Sequence, residues 1–148
     1  MEKTASPSKK DTHDLENEIN RVRSKDDLLK LIENNLPADN LPDYLALLLK
    51  EKHLKKSDVI TRSCLDKPYA YHIFSGQKKP SRQKALALAL AFGLTEKETS
   101  YLLYFSETNQ LNLRSTWDKI VIYALRNNWT VQETNIFLSE VGETVYLE

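Results

Sequence analysis

The sequence predicts an all-α fold, and three observations support this prediction. Only three of the 148 residues are glycine, whereas residues of high helix propensity, such as leucine, lysine, glutamate and alanine, are abundant. Apolar residues recur at the spacing of one helix face in several segments. Residues that cap helix ends stand before and after those segments. The length suits one domain with polar ends.

Two elements are expected before residue 38. Residues 1–23 are polar, mixed in charge and weakly periodic, which predicts a flexible polar tail. Ser24 then suits the N-cap of a short amphipathic helix over residues 24–37, and Pro37 ends the pattern. The apolar positions of this helix are Leu28, Leu29, Ile32 and Leu36.

Five helices are predicted in residues 38–106. They run from Pro42 to about Lys52, from about Lys56 to Ser63, from Asp66 to Gly76, from Ser81 to Phe92 and from Thr95 to Phe105. Proline is tolerated in a first turn, aspartate is a good N-cap, and glycine commonly follows a helix end. The tight turn between the second and third helices contains Cys64, which we expect to be a small buried residue.

Residues 107–148 are expected to form a linker, over 107–114, and a C-terminal helical hairpin. Its helices run from Thr116 to Asn127 and from Thr130 to about Val141. The segment from Asp118 matches the one from Gln83 at seven positions, at an offset of 35 residues, and both contain a capping-box pattern. Two explanations stay open, a duplicated supersecondary unit or two ordinary helical hairpins. In either case we expect the hairpin to pack against the fourth and fifth helices.

The charges of the chain are segregated although its net charge is zero. From Lys50 to Lys84 there are ten basic and three acidic residues, which gives this segment a net charge of +7. A basic run is often only a solvated face. When it is confined to one structural unit, it is also typical of a site for a polyanion.

Several classes of protein are disfavoured by what the sequence lacks. The N-terminal segment has no apolar core of a signal peptide, and the longest apolar stretch, residues 85–94, is shorter than the roughly 18 residues of a membrane span. Cys64 is the only cysteine, so no internal disulfide can form. We therefore expect a cytoplasmic protein with no membrane contact. Because no metal-ligand spacing, phosphate loop or nucleophile motif occurs, we expect no metal, no cofactor, no catalytic residue and no enzymatic activity.

One combination of motifs resembles a known family. It consists of two short helices separated by a turn at Cys64, a third helix that ends in Phe-Ser-Gly at Gly76, and the following QKKPSRQKALALAL. On these residues the chain is similar to the lambda-repressor/Cro-type helix-turn-helix family, also called the xenobiotic-response-element type. The resemblance covers residues 42–106 and implies a lambda-repressor-like, five-helix DNA-binding domain, with an N-terminal helix before it and the C-terminal hairpin after it. Cys64 departs from the family, which usually has a glycine in this turn.

The resemblance also implies a function and a set of contacts. In this family the third helix enters the major groove, while the second helix and the loop after the third hold phosphates. The candidates for base contact are Lys67, Pro68, Tyr71 and His72. The candidates for phosphate contact are Lys56, Ser75, Lys78, Lys79 and Arg82. We therefore expect a transcriptional regulator that binds specific sequences of double-stranded DNA.

A second hypothesis remains, in which the protein keeps the helix-turn-helix shape but binds another protein and no DNA. The outward face of the third helix is aromatic at Tyr69 and Tyr71, and aromatic side chains are enriched in protein interfaces. The C-terminal hairpin is the other candidate surface for a protein partner. Because repressors of this type commonly bind as two-fold dimers, we also expect a homodimer, formed through the C-terminal hairpin or the N-terminal helix.

Overall fold

The structure of the protein, a computed structural model, describes residues 35–148. The predicted tail over 1–23 lies outside these residues, as does the predicted helix over 24–37 up to residue 34; residues 35–37 are not helical. Residues 40–148 form one compact unit.

Seven helices and no strands occur in the described part of the chain. They are α1 (Leu41–Glu51), α2 (Lys56–Ser63), α3 (Lys67–Ser75), α4 (Arg82–Phe92), α5 (Glu96–Phe105), α6 (Thr116–Arg126) and α7 (Val131–Glu140). The prediction of an all-α fold is therefore confirmed for these residues, and each helix ends within one residue of its predicted limit. None of these helices has the length and hydropathy of a membrane span.

Side-chain caps explain why the helix limits could be predicted. Asp66 accepts a hydrogen bond from the Tyr69 amide at 3.2 Å and so starts α3. Both predicted capping boxes are present, at the starts of α5 and α7. Helix α2 differs, because its N-cap residue, Lys55, makes no side-chain cap hydrogen bond. The first amides of α2 are therefore without a side-chain cap.

Helix α4 is the centre of the helical unit. Every residue from Ala85 to Phe92 is buried, because α2, α5, α6 and α7 all pack against this helix. Its alternating alanines and leucines let neighbouring helices approach closely and fill the space between them. Helix α1 packs on α3 and α5 instead. The core helix thus supports both the α2–α3 region and the C-terminal hairpin.

The hairpins α4–α5 and α6–α7 repeat their backbone geometry at the 35-residue offset. The turn after the first helix contains a residue of positive φ, Gly93 at 72° and Asn128 at 56°. After the second helix the same geometry recurs at Glu107, with φ of 60°, and at Gly142, with φ of 88°. The sequence match therefore corresponds to equivalent turn positions. The second hairpin packs against α4 and α5.

The expectation that Cys64 is buried is wrong. Its side chain is exposed, and its backbone lies in the left-handed region at φ 60°. Ser63 and Leu65 occupy the interior of the turn and are 0% and 7% exposed. The Ser63 hydroxyl donates to the Ile60 carbonyl at 2.6 Å and accepts from the Leu65 amide at 3.2 Å. Because these two neighbours fill the turn, the thiol between them lies on the surface.

Candidate nucleic-acid interface

Helix α3 has one buried side and one exposed side. Ala70, Ile73 and Phe74 are buried, and α3 packs against α1 and α2. The helix ends at Gly76, whose φ of 89° is a left-handed conformation that favours glycine. A side chain at Gly76 would also be crowded, since its Cβ would lie 3.0 Å from Cγ of Pro42. The end of α3 is thus held close to the start of α1.

The exposed side of α3 carries all four candidates for base contact. Lys67, Pro68, Tyr71 and His72 are exposed, and the Tyr71 side chain is 43% exposed. At about 100° per residue they lie on the side of the helix opposite its buried residues. Ser75 shares this side, and its hydroxyl donates to the His72 carbonyl at 3.1 Å. We call this set of five residues the α3 face.

Lysines flank the α3 face on both sides. On one flank, Lys56 Nζ lies 5.7 Å from the centroid of the Phe74 ring. On the other, Lys84 Nζ lies 5.3 Å from the centroid of the Tyr69 ring, and the Tyr69 hydroxyl donates to the Lys79 carbonyl at 3.3 Å. Phe74 and Tyr69 are about 140° apart around the helix axis and border its buried side. The structure therefore places the cations of Lys56 and Lys84 at the two edges of one helix, with the backbone of the loop after α3 beside the second edge.

A buried proline and a backbone hydrogen bond anchor the loop over residues 76–81, although its lysines are exposed. Pro80 is buried, and the Lys78 amide donates to the His72 carbonyl at 3.1 Å. Lys79 forms an ion pair with Glu107, but its side chain remains 58% exposed. Lys56, Lys67 and Lys78 form no ion pair within residues 35–148. Two unpaired lysines, Lys56 and Lys78, and the loosely paired Lys79 thus lie near the α3 face, and the unpaired Lys67 lies on it.

Arg82 is placed differently from the other predicted phosphate contacts. Its guanidinium makes two hydrogen bonds to Asp118, at 3.1 and 2.7 Å, and one each to the carbonyls of Asn109 and Gln110, at 2.8 and 3.0 Å. The guanidinium also lies 5.8 Å from the centroid of the Trp117 ring. Four of the five N–H groups of its guanidinium are engaged within the chain, so Arg82 is less available to a phosphate than the exposed lysines are. It joins the start of α4 to the linker and to α6.

Three residues that shape this region were not among the predicted contacts. Lys84 belonged to the basic run but was not singled out, although its place on the first turn of α4 puts it beside Tyr69. Glu107 pairs with Lys79 across the linker. Asp118 is only 5% exposed and receives Arg82, whereas its sequence position suggested no more than an acid in the first turn of α6. Local sequence patterns could not predict the two acidic partners, because Glu107 lies 28 residues from Lys79 and Asp118 lies 36 residues from Arg82.

No family model, curated protein or solved structure matches this chain.

Proposed function

We propose that this protein is a transcriptional regulator that binds specific sequences of double-stranded DNA with α3. The observation that supports the proposal best is the α3 face, an exposed helix side bordered by lysines on both edges. A duplex presents two phosphate backbones on either side of its major groove, and a helix fits between them. Cations on both flanks of one exposed helix match that arrangement.

The residues of this region divide into two groups under the proposal. Lys56, Lys78 and Lys79, together with Ser75, contact phosphates and supply affinity that is independent of sequence and sensitive to salt. The uncapped first turn of α2 adds partial positive charge beside Lys56.

Sequence preference comes from the remainder of the α3 face. Lys67 and His72 can donate hydrogen bonds to base edges, and the Tyr71 ring can contact a thymine methyl group. Pro68 offers only its apolar ring. We propose that helices α1–α5 adopt the lambda-repressor-like arrangement, which the order of the five helices and the short α2–α3 turn support.

The first experiment is selection of bound fragments from random duplex DNA, followed by titration of the selected site over a range of salt concentrations. We expect Lys79→Ala to weaken binding to all duplexes and to reduce the slope of log affinity against log salt by about 0.9. Lys67→Ala and His72→Ala should instead change the preferred sequence. Lys97→Ala is the matched control, because Lys97 is exposed on α5 and not on the α3 face.

The outcomes separate the two hypotheses stated for this chain. Recovery of no preferred duplex, with no retention of DNA at low salt, would refute the proposal. Recovery of a stoichiometric protein partner together with that negative result would support the adaptor hypothesis. A salt slope of Lys79→Ala equal to that of Lys97→Ala would refute the phosphate role of Lys79.

The dimer that such a regulator needs is proposed to form through the C-terminal hairpin. A groove of about 400 Å³ on this hairpin is walled by Ile120, Tyr123, Trp129 and Phe137. Tyr123 and Phe137 are 56% and 38% exposed. Apolar surface of this kind is typical of a protein contact.

Charge favours a second copy of the chain as the occupant of this groove. Lys119 lines the groove and has no ion pair within residues 35–148, whereas residues 127–148 contain four acidic residues and no lysine or arginine. In a two-fold dimer, α6 of one copy faces α7 of the other. Symmetry then gives two equivalent contacts, each between Lys119 of one copy and Glu140 of the other. Sedimentation should show a dimer that Lys119→Glu or Glu140→Lys weakens and that the double variant restores. A wild-type monomer at high micromolar concentration would refute this arrangement.

A further inference from the structure

A cleft lies where α2 and the end of α4 meet the turn between α6 and α7. Its volume is about 430 Å³, and its walls come from Thr61 and Arg62, from residues 90–93 and from residues 128–132. Clefts that bind small organic molecules usually measure roughly 300–1,000 Å³. The cleft is therefore large enough for a molecule with a single ring, and it contacts both the α2–α3 region and the C-terminal hairpin.

The cleft carries a single positive charge. Arg62 is the only charged residue among those that line it. The Arg62 guanidinium has no hydrogen bond or ion pair with any other residue in the range 35–148. A guanidinium presents its donors in a planar fork that fits a carboxylate through two parallel hydrogen bonds. Arg62 is exposed, so these donors are free to bind an anion with two oxygens in one plane.

The rest of the lining combines apolar and uncharged polar groups. Trp129 is partly exposed and offers a ring edge or face for stacking, and Leu90 and Phe92, which are 8% and 4% exposed, add small apolar areas. Gln132 adds a side-chain amide that has no hydrogen-bond partner within the described residues. A molecule bound here would place its apolar part against these walls and its charged end at Arg62.

We infer that this cleft, which we call the Arg62 cleft, binds a small organic carboxylate with an apolar body. The carboxylate accepts hydrogen bonds from Arg62, and the apolar body packs against Trp129 and the end of α4. This inference does not depend on DNA binding, since the cleft and the α3 face share no residue.

The test uses the full chain and two probes of nearly the same size, 3-phenylpropanoate and its neutral amide, 3-phenylpropanamide, in which an NH₂ donor replaces one acceptor oxygen. Binding is followed by ¹⁵N–¹H NMR spectra of the two tryptophan indoles. The two signals are assigned with Trp117→Phe, which removes one of them. We expect the Trp129 indole signal to shift on titration and the Trp117 signal to stay, because Trp117 does not line the cleft. The carboxylate should bind about tenfold more tightly than the amide, since hydrogen bonds to a charged group are stronger.

Two variants locate the charge that the carboxylate contacts. Arg62→Gln should remove the preference for 3-phenylpropanoate and leave the affinity for the amide unchanged. Lys119→Gln is the matched control, because Lys119 is the cation of the neighbouring hairpin groove, which Trp129 also lines. We expect this variant to keep the tenfold preference.

Three results would overturn the inference. The first is an unshifted Trp129 signal at saturating probe. The second is equal affinity of the wild-type chain for both probes. The third is loss of the preference in Lys119→Gln but not in Arg62→Gln, which would place the probe in the hairpin groove. Arg62 is exposed at the end of α2, so Arg62→Gln is expected to fold, and an unchanged helical circular dichroism spectrum checks this.

Discussion

Substitution of Asp118 by asparagine tests whether the Arg82–Asp118 pair holds the C-terminal hairpin to the rest of the helical unit. Asp118 is 5% exposed and accepts three hydrogen bonds, two from Arg82 and one from the Asn112 amide at 2.8 Å. Asparagine has nearly the same size, but it removes the negative charge and replaces one acceptor oxygen by a donor. Arg82 then faces an amide with no compensating charge.

The expected loss follows from the burial of the two partners. Removing one member of a fully buried ion pair costs about 3–5 kcal/mol, because the other charge stays uncompensated. The Arg82 side chain is 23% exposed and keeps its bonds to two carbonyls, which reduces the cost. We therefore expect Asp118→Asn to lower the free energy of unfolding by about 2–3 kcal/mol.

The measurement is urea unfolding followed by circular dichroism and by tryptophan fluorescence, compared with Glu107→Gln as a control. Glu107 and Lys79 form an ion pair whose side chains are 69% and 58% exposed, and such pairs contribute about 0.5 kcal/mol or less. Both variants remove one carboxylate near the linker, so their difference isolates burial. If Asp118→Asn lowers the free energy of unfolding no more than Glu107→Gln does, the Arg82–Asp118 pair does not hold the hairpin and its burial does not strengthen it.

Three further predictions concern the turns and the loop of the proposed interface. Gly76→Ala should destabilise the protein by more than the about 1–2 kcal/mol expected for a left-handed backbone alone, because its Cβ would meet Pro42. Gly93→Ala is the control, because Gly93 has a φ of 72° and an added Cβ there would have no atom within 4 Å. If urea unfolding shows that both variants lose the same free energy of unfolding, crowding at Gly76 is contradicted. Cys64→Gly should raise the free energy of unfolding by up to about 1 kcal/mol, since it relieves the left-handed cysteine at some cost in chain entropy; a decrease would show that the conformation is not strained. Glu107→Gln should tighten duplex binding up to about fivefold by removing the acid that competes with phosphate for the loop lysine, and an unchanged dissociation constant would count against that competition.

The positions of the proposed contacts could be predicted to different extents. The exposed side of α3 followed from helical spacing, because residues on one side of a helix recur at fixed intervals. Lys56, Lys78 and Lys79 belonged to a basic run that is visible in the sequence. Which of these lysines flanks which edge of α3 could not be predicted, since it depends on contacts with Phe74 and Tyr69.

The helices, their ends and the two capping boxes could be predicted from local sequence patterns. These features depend on interactions among residues a few positions apart, such as the Asp66 cap and the threonine–glutamate boxes. Three features could not be predicted in this way: Arg82 bonds to Asp118 of the C-terminal hairpin, Cys64 is exposed, and Arg62 lines a cleft together with the distant turn at Trp129. The physical reason is that each of these outcomes depends on which helix packs beside the residue, and packing against α4 joins segments that are far apart in the chain.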